Sequence, residues 1–146
     1  MNSTKVNFYN ADVFCRLEKK TELKTFVESI FNQESILFES LNFIFCSDEY
    51  LLDINRSFLQ HDYYTDIITF DLSETKDNSV VGEIYISIDR VKENASSIDV
   101  PFKEELLRII FHGVLHLCGY KDKSKLDIKE MRTKEDFYLS LFHNQG

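Results

Sequence analysis

One stretch, PFKEELLRIIFHGVLHLCGYKD at residues 101 to 122, constrains the fold more than any other. Pro101 suits a first helical turn, and Glu104 and Glu105 favour its positive end. From Leu106 to Cys118 the helix is apolar nearly all round, so it must lie inside the domain with other elements packed about it. Gly119 stands where a left-handed residue would end it. A chain of 146 residues, 43% apolar and carrying 13 Phe and 7 Tyr, can build one such enclosure and is too short for two. A single domain over residues 1–146 is therefore expected.

The rest of the chain reads as shorter elements. Lys5 to Tyr9 alternates as a strand, and Thr21 to Asn32 spaces Leu23, Phe26, Val27, Ile30 and Phe31 as a helix with Thr21 as its cap. Leu41 to Cys46 is a second strand, followed by a helix capped at Ser47-Asp48 and running to Phe58. Leu59 to Asp66 is a polar and aromatic loop. Ile67 to Asp71 and Gly82 to Ile88 form a hairpin across the polar connection Ser73 to Ser79. Helices over Asp89–Ile98 and Leu126–Phe142 flank the buried one. The expected class is α+β: a small mixed sheet of about four strands flanked by helices.

Net charge is −8, from 17 basic and 25 acidic residues, which counts against binding nucleic acid by phosphate neutralisation over the whole surface. One local basic face remains compatible with it. Cys15, Cys46 and Cys118 form no CxxC pair and suggest reduced thiols. Neither a signal peptide nor an apolar run long enough for a membrane span is visible, so a cytoplasmic location is expected.

His112 and His116 are four apart and project from one helix face, the spacing by which a helix offers two imidazoles to one metal. In apolar surroundings an unsatisfied ring costs free energy. Asp122 follows six residues after His116, where a chain turning back past Gly119 can bring a carboxylate beside the rings. Two His and one carboxylate with a position left for water is an arrangement of catalytic metal sites. The alternative is a hydrogen-bonded core pair, with Asp122 a solvated loop residue. Gly113 occupies the position that carries the general-base Glu in HExxH proteases, and so argues against that chemistry.

The string HGVLHLCGYKD resembles the HGxLHLxGYDH signature of the YbeY family of single-strand-specific, metal-dependent endoribonucleases. TDIITF at 65–70 and GEIYIS at 82–87 are similar to that family's TDVLSF and GDIVIS. The resemblance implies a metal site on the buried helix and the following loop, with His112, His116 and Asp122 as ligands. It also implies action on single-stranded RNA in ribosomal RNA processing, namely small-subunit rRNA 3′-end maturation and ribosome quality control. The implied partners are ribosomal RNA and the ribosomal subunit, with no DNA and no membrane.

The implied ion is Zn²⁺, one per chain. Asp122 replaces the family's third histidine and lowers the formal charge of the site, so its water would be less acidified and Mn²⁺ or another hard ion would compete better. Leu59 replaces a family arginine thought to serve the phosphate. Arg56 and His61 are possible substitutes, although a surface arginine and a loop histidine are the plainer reading. Asp66, Glu83 and Arg108 are candidates for catalytic work, against a turn cap, an exposed strand residue and an ion pair with a buried acid. Basic residues from Lys121 to Lys134 are interleaved with acids and read as a solvated surface or an RNA-facing edge. Leu59 and Asp122 also admit a ribosome assembly factor with a structural metal and little nuclease activity.

Overall fold

The computed structural model describes residues 5–74 and 79–145, so the middle of the polar connection Ser73–Ser79 lies outside the described residues. The elements run β1 (Val6–Asn10), α1 (Lys20–Gln33), β2 (Phe38–Cys46), α2 (Asp48–Phe58), β3 (Ile67–Asp71), β4 (Val80–Ser87), α3 (Ile88–Ser97), α4 (Phe102–Leu117) and α5 (Lys125–His143). The strands form one mixed sheet in the order β1-β2-β4-β3. β1 and β2 are parallel, β2 and β4 are parallel, and β3 runs antiparallel to β4 at one edge, with Ile67 opposite Ile86 and Asp71 opposite Gly82. This is the α+β fold with a four-stranded mixed sheet.

Element ends differ from the sequence reading for local reasons. Thr21 does not cap α1: the Leu23 amide donates to the Lys19 carbonyl at 2.9 Å, so the helix starts earlier and Thr21 lies inside its first turn. β2 begins at Phe38, because β4 extends to Val80 and pairs with it across a bulge before Ser40. Ile88 belongs to α3, since the Ser87 hydroxyl accepts from the Arg90 amide and ends the strand by capping the helix. α5 starts at Lys125 behind a reciprocal capping box between Ser124 and Asp127.

Helix α4 is enclosed as its composition demands. It packs against α1, α3 and α5 and lies over β3 and β4. Phe26 of α1, Phe111 of α4 and Phe142 of α5 meet as a ring cluster, with centroids 5.0 to 6.0 Å apart. The opposite face of the sheet carries α2, over a smaller cluster of Cys46, Leu51 and Ile68.

Two glycines bring α4 close to the sheet. A Cβ on Gly113 would stand 2.8 Å from Ile84 Cδ1 and 3.0 Å from Ile67 Cδ1; one on Gly82 would stand 2.7 Å from Leu117 Cδ1. Gly113 is thus where the neighbouring chain comes close. Gly113→Leu is expected to lower stability by about 1–3 kcal/mol through overpacking, read as a fall in the denaturant midpoint.

Candidate metal centre and groove

The end of α4 builds the site. The Gly119 amide donates to the His116 carbonyl and the Tyr120 amide to the Leu115 carbonyl, both at 3.0 Å. With Gly119 at φ 106°, these two bonds form a left-handed Schellman stop. The chain reverses there, and Asp122 arrives beside the helix face that carries both histidines. His112 Nε2 and His116 Nε2 lie 3.0 Å apart, and Asp122 Oδ2 is 3.3 Å from the first and 3.1 Å from the second. Donors on a tetrahedral ion with bonds of about 2.0–2.1 Å are about 3.3–3.4 Å apart, so this triangle fits such an ion. Among the described residues this is the group of His, Cys, Asp and Glu able to hold a metal.

Hydrogen bonds behind the rings decide what the three atoms present. His116 Nδ1 lies 3.0 Å from the Tyr120 carbonyl oxygen, which can only accept, so that nitrogen carries the proton. His112 Nδ1 donates to Glu135 Oε2 at 2.6 Å. In their neutral forms both rings therefore turn an Nε2 lone pair toward each other and toward a carboxylate oxygen. Lone pairs gathered without an intervening proton repel one another, and a cation relieves that repulsion.

Glu135 is 5% exposed and accepts from Arg108 as well, at 2.9 Å. Burial pushes its carboxyl up, but the bonds from His112 and Arg108 outweigh burial and hold it below the usual glutamate value. For His112, burial works against the charged ring, yet the Glu135 bond and the nearby carboxylates Asp122 and Asp66 raise its pKa above the ordinary value. Glu34, just past α1, accepts from the Tyr120 hydroxyl at 2.6 Å, from Lys134 at 3.3 Å and from the Tyr138 hydroxyl. It thereby ties the turn that bears the Tyr120 carbonyl to α5.

The remaining sequence candidates separate in space. Asp66 lies beside the cluster, where burial raises its carboxyl above the usual value and Asn94 donates to it at 3.3 Å. Arg108 is engaged with Glu135 and, at 2.8 Å, with Asp136, the ion pairing anticipated for it. Glu83 lies on the opposite face of the sheet, beside Phe58 and Phe70, and accepts from the Tyr85 hydroxyl at 3.2 Å. Arg56 is exposed and paired with Asp62 at 2.5 Å, and His143 pairs with Glu104. His61 is bonded to the Tyr63 hydroxyl at 3.0 Å.

A groove of about 680 Å³ runs from the cluster past Asp66, Thr69 and Leu59 to His61 and Tyr63. A second recess of about 340 Å³ opens on the other side of His112, between Glu105, Arg108 and Arg132. Asp66, His112 and Asp122 border both.

Sequence reasoning gave Glu135 no role. A signal was present, because Met131, Glu135, Tyr138 and Leu139 are the buried stripe of α5 at helical spacing, and an acid in such a stripe needs a partner. Glu34 carried no comparable signal.

Fold and site together define the class, an α+β protein with a candidate divalent-cation centre at one end of a groove. Comparison with known proteins makes this specific. The family described as Endoribonuclease YbeY matches residues 7–143. An Endoribonuclease YbeY of Cytophaga hutchinsonii is 50% identical over 141 residues, 97% of this chain and 98% of that protein. One of Flavobacterium psychrophilum is 47% identical over 92% of this chain and 95% of its own. A Thermotoga maritima protein solved in solution superposes with a TM-score of 0.60 at 27% identity, covering 94% of this chain and 88% of that one. The chain belongs to the YbeY endoribonuclease family. It is a hydrolase that cleaves RNA internally. Among the described residues no helix is long and apolar enough to cross a membrane.

Proposed function

We propose that this chain is a single-domain, zinc-dependent endoribonuclease specific for single strands, working in the cytoplasm on ribosomal RNA. Small-subunit rRNA 3′-end maturation and ribosome quality control are its tasks, and the ribosomal subunit is its partner. One observation carries the metal-dependent part: three lone-pair donors, His112 Nε2, His116 Nε2 and Asp122 Oδ2, stand 3.0–3.3 Å apart with the ring protons held on the far nitrogens. These residues would hold the ion. A divalent ion supplies positive charge that polarises a phosphoryl oxygen and acidifies a water.

The chain's own groups supply the rest. Glu135 and the Tyr120 carbonyl keep both imidazoles aimed. Asp66, half-buried beside His112 with its carboxyl raised, is placed to take a proton from the attacking water. Arg108 acts through Glu135 and is a positioning residue. Glu83, on the far side of the sheet, has no part in this proposal.

The test uses labelled single-stranded RNA, the same sequence as a duplex, and protein stripped with chelator or reloaded with Zn²⁺ or Mn²⁺. We expect about one ion per chain, cleavage of the single strand, sparing of the duplex, and recovery of activity on reloading. Absence of any ion above trace, or cleavage that ignores chelation, overturns the proposal.

Ion affinity should also depend on pH in a definite direction. A ligating imidazole must be neutral, and His112 has a pKa raised above the ordinary 6.5. Protons therefore compete from a higher pH than at an unperturbed histidine. As pH falls through that raised value, zinc affinity is expected to drop by about tenfold per unit for one displaced proton, measured by competition with a chelating dye.

A further inference from the structure

The far end of the groove is aromatic and built. Asn55 is 1% exposed and fixes the loop from beneath: its side-chain amide donates to the Tyr63 carbonyl at 2.8 Å, and its own carbonyl accepts from the His61 amide at 3.1 Å. Gln60, at φ 56°, makes the left-handed bend that lets the loop return on itself. The His61 and Tyr63 rings are thereby stacked, with centroids 5.2 Å apart and planes 20° from parallel, and locked by the hydroxyl–Nδ1 bond. Tyr63 is nonetheless 56% exposed. An ordered two-ring stack at the mouth of a groove is not what a core-filling pair looks like.

The charges in the groove point the same way. Leu59 offers no cation, Arg56 is tied to Asp62, and Lys123 is the lysine or arginine that borders the groove among the described residues. Asp66, Asp71 and Asp122 border it as well. Away from the metal cluster phosphate attraction is thus weak, and there a strand is held largely by its bases. Stacking on aromatic rings is available to an unpaired base and denied to one inside a duplex.

We propose that His61 and Tyr63 form a base-stacking subsite that seats one unpaired nucleobase of the RNA strand and so gives the groove its preference for single strands. This rests on the reading of the groove as an RNA site. The test compares steady-state cleavage of a 12-nucleotide single-stranded RNA by zinc-loaded wild type, Tyr63→Ala, Tyr63→Phe and His61→Ala, with zinc content and far-UV circular dichroism as checks on folding. Each RNA is also made with one abasic position, moved along the strand.

Tyr63→Ala is expected to raise KM about tenfold or more with kcat within about twofold, because stacking is lost equally in ground and transition states. Tyr63→Phe keeps the ring but loses the bond to His61, so its KM rises far less than that of Tyr63→Ala; His61→Ala also shows a smaller rise than Tyr63→Ala. At one abasic position the wild type loses the same factor and Tyr63→Ala loses nothing further. An unchanged KM in Tyr63→Ala, equal damage from Phe and Ala, or abasic penalties identical in both proteins each overturn the subsite. If zinc-loaded wild type leaves single-stranded RNA intact, the RNA reading of the groove falls and takes the subsite with it. If wild type cleaves while the substitutions are silent, the subsite alone falls.

Discussion

Replacing His116 by alanine is expected to empty the metal centre and lower RNA cleavage by about a hundredfold or more, the scale on which a metal stabilises developing charge. The fold should survive it, because the ring is only partly buried and its backbone stays within α4. Asp122 offers the sharper contrast. Asp122→Ala should behave like His116→Ala, whereas Asp122→His keeps a ligand in place. With the third ligand neutral, the bound ion retains more charge, and the pH–rate profile should move toward lower pH. Elemental analysis and a pH series on the three variants read these outcomes. Full cleavage by metal-free His116→Ala protein would remove the assignment of this cluster.

The second large effect is expected at Glu135, which stands behind the His112 ring. Its two oxygens accept from two cationic or proton-bearing partners, His112 Nδ1 and Arg108. Glutamine can accept from one of them, and its amide group then meets the other donor-to-donor. Zinc affinity of Glu135→Gln is expected to fall by about 10- to 100-fold, as for other groups that orient a ligating histidine. Stability should fall by about 2–4 kcal/mol, below the worst case for a broken buried pair because Arg108 retains Asp136.

The sign with pH follows from Glu135 being held below its ordinary value of 4.5. Its contribution to folding is complete above that ordinary value and is lost as pH falls through the depressed one. Against burial, Glu135 also raises the His112 pKa above 6.5, and that part of the pairing is fully present only below 6.5. Wild type and Glu135→Gln should therefore differ most between pH 4.5 and 6.5 and converge in stronger acid. Denaturant melts within that window, at pH 7 and near pH 3 test this, and a constant gap would count against the assignment.

Much of this was legible in the residues. The all-round apolar character of α4 forced a buried central helix, and Gly119 marked its left-handed end. The spacing of His112, His116 and Asp122, together with the three motif resemblances, pointed to a cluster that the fold draws within 3.3 Å. What escaped was long-range. Whether Glu83 and Asp66 share a face depends on which side of β4 looks toward α4, and the period of a strand does not say which side that is. Glu135 and Glu34 reach the site only through the packing of α5 and the end of α1. Gly113 told in the sequence against a protease base, and the packing of α4 on the sheet shows that Ile84 and Ile67 crowd it.

The parts of the centre are spread unevenly along the chain. Both imidazoles are made by residue 116, but the turn carbonyl at 120, the acid at 122 and the carboxylate at 135 come later. The two histidines therefore gain their orienting partners only when the turn after α4 closes and α5 packs over α4. A substitution that loosens the α4–α5 seam would thus disturb the centre without touching any of its three donors.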